Sequence, residues 1–295
     1  MRVRRKSLAA GMRGKAKDRA MPERPRQYYF RLHLFHRILH GVLMTSFLGL
    51  AATGMPLRFN QAPWAISFAH AIGGFGAILF FHKTFAVLLT LCFLVHLGYV
   101  FHLAFVRRES GVFWGPTSMI PQPKDVVDLY QHFRWFFGLG HKPSFGRFTY
   151  WEKFDYWAVF WGMAIIGTSG YMMWFSGFFG QLLPGWLFNI ALLIHADEAL
   201  LAVWFIFAIH FFNSHLRPDR FPIDLVIFTG RERVEELKES RPAEYERLVS
   251  AGALEAARAG PPPLWLRNFG RMIGFAAIGI GFLLLGLTLL AFVSE

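Results

Sequence analysis

The sequence predicts an all-α integral membrane protein: a helical bundle of four spans around a set of histidines, followed by a fifth, C-terminal span. Three observations predict it. Of 295 residues, 54% are hydrophobic and 18% aromatic, and the apolar residues gather in runs long enough to cross a hydrocarbon core of about 30 Å. The basic residues behind the formal charge of +12 cluster at alternate ends of those runs. One apolar run, Leu192–His210, carries two histidines fifteen residues apart, which is about 22 Å of helix rise and close to one face.

The spans follow in order as Leu34–Leu57, Phe75–Val106, Phe154–Phe179, Trp186–Phe212 and Phe269–Val293. Residues 1–30 form a basic arm with Arg2, Arg4, Arg5, Lys6, Arg13, Lys15 and Lys17. It reads as a lipid-facing tail and not as a cleaved signal, because no short apolar segment with a small-residue cleavage site follows it. Residues 31–216 form the four-span domain, with a long loop over 107–151 that is rich in Pro, Gly and aromatics and is expected to pack against the bundle. Residues 217–263 read as a charged surface helix pair, interrupted at Pro242, and Pro261-Pro262-Pro263 leads stiffly into the last span at 264–295. Gly162, Gly167 and Gly170 on the third span should admit a bulky neighbour. Gly274, Gly279, Gly281 and Gly286 on the fifth suit close helix packing.

Positive charge alone would suit nucleic acid, but its place beside the spans fits a membrane surface, and no nucleic-acid partner is expected. Arg107 and Arg108 follow the second span, and Arg217 and Arg220 the fourth. The links after the first and third spans hold only Arg58. This asymmetry puts the N-terminus in the cytoplasm and, with five spans, the C-terminus outside. The single cysteine, Cys92, lies mid-span and reads as a small core residue. No Cys-x-x-Cys-His is present, so any c-type haem belongs to another subunit.

Polar side chains inside a span are costly and usually functional. Depth sorts the histidines into His40 with His210 near the inner surface and His82 with His195 near the outer. An axial pair for haem iron needs two helices facing each other at one depth, so two haem b groups would account for all four. A rival pairing stays open: His82 and His96 are fourteen residues apart on one helix, and His96 could replace His40 opposite His210, as in the two-helix scheme of the cytochrome b of quinol:cytochrome c reductases. His36, His102 and His215 lie near the inner interface, where solvated or propionate-binding roles fit better than ligation. Arg37, one turn from His40, suits a haem propionate through charge-assisted bonds. Asp197 and Glu198 lie just inside the outer end of the fourth span, where they would take protons from a quinol or pair with a basic group on a partner, and one of them is expected to serve proton transfer.

The motifs Arg37-x-x-His40, Thr53-Gly54, Phe81-His82-Lys83 and Leu192-Leu193-Ile194-His195-Ala196 resemble the cytochrome b (gamma) subunit of respiratory formate dehydrogenases. Glu152-Lys153-Phe154-Asp155-Tyr156-Trp157, Ile194-His195-Ala196-Asp197-Glu198-Ala199 and His210-Phe211-Phe212-Asn213-x-His215-x-Arg217-Pro218 resemble the di-haem b proteins found beside multihaem c-type cytochromes. The resemblance covers roughly Arg31–Val249. It implies His40, His82, His195 and His210 as the axial ligands of two haem b groups. It further implies a quinone, menaquinone or ubiquinone, as diffusible substrate near Arg147–Lys153 and His210–His215, with Thr149, Lys153 and His215 at the propionates or the quinone. A multihaem c-type cytochrome or an iron–sulfur subunit would be the partner. The chain departs from the formate dehydrogenase subunit in the spacing of fifteen on the fourth span, one residue longer, and in Thr149 and Trp151 near where that subunit has the Asn and Gly of its quinone pocket. The expected role is an electron-transfer subunit of a quinone-linked oxidoreductase complex. The competing classes are a haem-free proton-relay transporter and a structural membrane anchor.

Overall fold

The computed structural model describes residues 27–218 and 220–294. The basic arm expected over Met1–Arg26 lies outside the described residues. The chain opens with the short strand β1 (Tyr28–Phe30) and turns into α1 (Leu34–Arg58). Then come α2 (Pro63–Ile72) and α3 (Phe75–Phe101), which runs on through a π-helical turn, His102–Val106. After a loop, α4 (Pro123–Phe136) leads to α5 (Tyr150–Gly162), a second π-helical turn (Met163–Gly167), α6 (Thr168–Trp174) and the single turn α7 (Ser176–Phe179). The helix α8 (Trp186–Trp204) continues through two π-helical segments, Phe205–His210 and Phe212–Leu216. Short elements follow: α9 (Val226–Thr229), β2 (Arg231–Arg233), α10 (Val234–Ser240), α11 (Pro242–Ser250), α12 (Ala253–Ala256) and β3 (Arg258–Ala259). The chain ends in α13 (Leu264–Ser294).

Four helices are long and apolar enough to cross a membrane: Leu34–Arg58, Phe75–Val106, Trp186–Leu216 and Leu264–Val293. Many of their large apolar side chains point away from the protein, as in Leu94 at 55% and Leu193 at 63% exposure, which suits lipid as the surrounding solvent. The third expected span, Phe154–Phe179, is not one uninterrupted helix. Its α5 portion carries Glu152, Lys153 and Asp155 in its first two turns, a π-helical turn breaks it in the middle, and the chain bends at Phe175.

Close approaches are made by glycine. A Cβ on Gly49 of α1 would stand 2.5 Å from the Phe85 ring of α3. On α13, Gly281 receives Phe207 and Gly274 receives Ile223, whereas Gly279 and Gly286 face open space, so half of the expected small-residue rhythm is used. The apolar core joins α1, α8 and α13 through Met55, Phe59, Val203, Phe207, Phe211 and Ile278.

The helical expectation needs one correction. A three-stranded antiparallel sheet in the order β2-β1-β3 forms beside the start of α1, with Tyr28 opposite both Arg233 and Ala259. Strands of two or three residues leave no period-two signal, which is why the segment 231–259 reads as a helix pair alone. The sheet is pinned by a buried ion network. Glu232 of β2 is fully buried and accepts from Tyr29 Oη (2.7 Å), Arg31 (2.8 Å), Arg220 (3.3 Å) and Arg241 (3.4 Å). Arg241 also donates to Glu152 at 2.8 Å, which ties the sheet to the first turn of α5. Burial pushes the Glu232 carboxyl up, but Arg31, Arg241 and Arg220 outweigh it and hold it down at about 2. Burial first, then the charge on Glu232, raises the Tyr29 hydroxyl above its ordinary value.

Candidate functional site: two histidine pairs

The bundle has a sheet end, where α1 begins and α8 finishes, and an α2 end, where α1 finishes and α3 begins. His82 sits on the eighth residue of α3 and His195 on the tenth of α8, both toward the α2 end. Their ring centroids are 6.3 Å apart with planes at 73°. Two imidazoles bonded at about 2 Å to opposite sides of one metal, each with about 1.1 Å from nitrogen to ring centre, have centroids about 6 Å apart. The separation matches.

The hydrogen bonds decide which nitrogen of each ring is left as a ligand. His195 Nδ1 lies 2.9 Å from the Ile166 carbonyl oxygen, which can only accept, so Nδ1 carries the proton. The Ser169 hydroxyl donates to the Ile165 carbonyl at 2.7 Å and lies 3.3 Å from the same Nδ1. On α1, Thr53 Oγ1 donates to the Gly49 carbonyl at 2.6 Å, so at 2.9 Å from His82 Nδ1 it accepts the imidazole proton. Both neutral rings therefore present an Nε2 lone pair, the form that binds metal. Gly54 and Gly170 stand beside the rings: a Cβ on them would lie 3.2 Å from His82 Cε1 and 2.9 Å from His195 Cε1.

At the sheet end, His210 Nδ1 lies 2.8 Å from Asp155 Oδ2. A carboxylate on Nδ1 again leaves Nε2 as the lone-pair nitrogen, and carboxylate–histidine pairs of this kind orient metal-bound imidazoles. His40 stands on the seventh residue of α1, also at the sheet end. The rival His96 has other partners. Its Nε2 lies 2.9 Å from Tyr156 Oη, and its ring packs against Tyr156 and Phe160. The helical run 150–174 thus touches His210 through Asp155 and His195 through Ile166, reaching both depths.

The remaining expected residues fall as follows. His215 Nδ1 accepts from the Asp224 backbone N–H at 3.3 Å, so its neutral ring has the opposite tautomer and offers Nε2–H as a donor. Arg37 donates to the Phe228 carbonyl, and its buried Nε has no hydrogen-bond partner among the described residues. Thr149 is the N-cap of α5 in a reciprocal box with Glu152, and is buried. The Lys153 ammonium donates to Asp125 Oδ2 at 2.8 Å inside the protein. Asp197 makes an exposed pair with Arg58 at 3.7 Å, and Glu198 accepts from Trp161 Nε1 at 3.3 Å. His36 packs on Phe35 and Tyr99, and His102 is exposed in the turn that ends α3.

Sequence reasoning assigned no role to Asp155, Ile166, Ser169 or Tyr156. For Asp155 a signal existed, because an acid inside an expected span calls for a partner. The others act through a carbonyl or a hydroxyl, and although Tyr156 stands in one of the quoted motifs, nothing in the sequence shows its hydroxyl meeting His96. Among the described residues no three His, Cys, Asp or Glu side chains gather as ligands of one ion. A donor set of paired imidazoles suits a metal whose other ligands come from a macrocycle. No protein-family model and no curated protein matches the chain.

Proposed function

We propose that the chain is the cytochrome b subunit of a respiratory oxidoreductase complex in a bacterial inner membrane. It would pass electrons across the bilayer between a quinone or quinol pool and an external redox partner, a multihaem c-type cytochrome or an iron–sulfur subunit. The observation that carries this reading is the geometry of His82 and His195, 6.3 Å apart and each with its proton held on Nδ1. Two haem b groups, when bound, supply a one-electron carrier toward each membrane surface.

The chain's own residues supply position and electrostatics. Thr53 and the Ile166 carbonyl orient the outer imidazoles, and Asp155 orients His210 and makes its ring a stronger donor. His40 is favoured over His96 as the fourth ligand because Tyr156 takes the His96 Nε2. Arg37 Nε and His215 Nε2–H are the donors suited to a propionate or to a quinone carbonyl at the sheet end. Glu198, one turn from His195, is the group suited to accept a proton at its carboxylate, and the exposed Asp197–Arg58 pair faces the external partner. The run 150–174 is a fifth membrane-crossing segment in this reading, since it reaches both histidine pairs. Basic residues crowd the sheet end, with Arg31, Arg37, Arg107, Arg108, Arg217 and Arg220, which supports a cytoplasmic N-terminus and a periplasmic C-terminus.

The test is pyridine haemochrome analysis of purified protein. About two b haems per chain are expected, falling to about one in His195→Ala, in His210→Ala and in His40→Ala, and unchanged in His96→Ala. Absence of haem would overturn the reading and move the proton relay and the structural anchor forward. Loss in His96→Ala with retention in His40→Ala would reverse the inner pairing.

A further inference from the structure

The helix α4 is amphipathic the wrong way round for a helix in water. Its two acids are buried: Asp125 holds the Lys153 ammonium and accepts the Gln122 backbone N–H, and Asp128 takes Lys124. Its large apolar residues point outward. Val126, Tyr130, Phe133 and Phe137, spaced four, three and four apart and so on one face, are between 60% and 75% exposed. A contiguous outward apolar face of this kind marks a contact with lipid or protein.

Its surroundings favour lipid. Two anchors set its depth. Trp157 Nε1, two turns into α5, donates to the Met119 carbonyl just before α4, and Lys153 reaches Asp125. Phe113, in the same loop, packs at 6.2 Å against Phe105 in the last turn of the second long apolar helix, across an apolar groove lined by Leu97 and Phe101. The outward face of α4 is therefore continuous with the outward apolar flank of α3. The polar residues Lys124, Gln131 and Arg134 lie to one side of the apolar stripe, and Trp114 and Trp135 add the amphipathic rings that favour a membrane boundary.

We infer that α4 is a membrane-surface helix, its Val126–Tyr130–Phe133–Phe137 face buried in the boundary of the leaflet at the sheet end. The inference rests on the reading that the long apolar helices cross a bilayer, and is independent of haem.

The experiment uses the full chain in phosphatidylcholine–phosphatidylglycerol nanodiscs, with Cys92→Ala and single nitroxide labels introduced by Val126→Cys, Tyr130→Cys, Phe133→Cys and Phe137→Cys. Gln131→Cys is the water control and Leu94→Cys the mid-span control. Power saturation should give the four stripe positions a several-fold higher ratio of oxygen to nickel-chelate accessibility than position 131. A water-like ratio at the stripe with a lipid-like ratio at position 94 overturns the inference alone. Shielding of the stripe from both reagents overturns it in favour of a protein cover, a second copy included. A water-like ratio at position 94 overturns the membrane reading itself. On the unmodified chain, a carbene-generating phosphatidylcholine should label 123–137 and spare 234–256, and the reverse pattern would refute the inference should the cysteine variants fail to fold.

Discussion

The substitution that probes the outer histidine pair most directly is Gly170→Ala. A Cβ at that position would lie 2.9 Å from His195 Cε1 and 3.2 Å from Nδ1, where ordinary contacts begin at 3.4 Å. The ring must retreat by about 0.5 Å or more to restore contact distance. It cannot do so freely, because Nδ1 is held 2.9 Å from the Ile166 carbonyl. Metal–ligand distances tolerate about 0.2 Å, so the displacement exceeds what a bond from His195 to a haem iron would absorb in the proposed reading. The expected result is loss of one of about two haems per chain, with the carrier on His210 retained. The assay is pyridine haemochrome stoichiometry beside the reduced-minus-oxidised spectrum. Gly162→Ala serves as the control, since a Cβ there meets only Ile166 at 4.0 Å. Gly54→Ala, at 3.2 Å from His82 Cε1, should give the milder outcome of a shifted spectrum with both haems kept. Wild-type haem content and an unchanged spectrum in Gly170→Ala would refute the assignment of His195 as a ligand held against that helix.

At the sheet end, Asp155→Leu removes the acceptor for His210 Nδ1 and should weaken haem binding there by about 10–100-fold. Asp155→Asn keeps an acceptor but not the charge, and should instead raise the midpoint potential of that haem in a redox titration. An unchanged potential would separate Asp155 from the metal. In the sheet, Glu232→Gln leaves three guanidinium groups facing a neutral amide in a buried site and should cost about 3–5 kcal/mol, read as a lowered unfolding midpoint in detergent. Because Glu232 is held at about 2 when folded, against 4.5 ordinarily, its contribution is complete above pH 4.5 and declines as pH falls toward 2. In Glu232→Gln that acid-side decline should be smaller, and a decline as large as in wild type would mean that other groups carry it.

How much was legible in the sequence depends on the length scale of the signal. Long apolar runs identify four of the helices because composition alone sets them. The run 150–174 is weaker, with three charges near its start and a π-helical turn, features that only make sense once Asp155 meets His210 and Lys153 meets Asp125. The depth of the four histidines follows from helix rise, but the choice between His40 and His96 does not. What bears on it is a contact the sequence does not show, that of His96 Nε2 with the Tyr156 hydroxyl, sixty residues away. The sheet escaped because β1 and its partners are too short to show alternation. The outward apolar face of α4 escaped for a related reason. Residues 107–151 read as one long loop, whereas Pro123–Phe136 is helical, and only the burial of Asp125 and Asp128 reveals which face of that helix points away from the protein.

The tautomers also weigh against a histidine proton relay. A relay needs each imidazole to take a proton on one nitrogen and release it from the other, so both must face groups that exchange protons. His195 Nδ1 faces a backbone carbonyl, which binds a proton far too weakly to receive one, and His82 Nδ1 faces a hydroxyl whose own hydrogen is directed at the Gly49 carbonyl. Protons on these nitrogens have no onward acceptor. Such bonds instead hold a ring still, and holding two rings still at one depth with Nε2 unprotonated is what axial ligation requires. His210, by contrast, has its Nδ1 on the Asp155 carboxylate, a group able to take a proton. The His82–His195 pair therefore offers no proton path through its Nδ1 atoms, whereas the His210–Asp155 contact at the sheet end does.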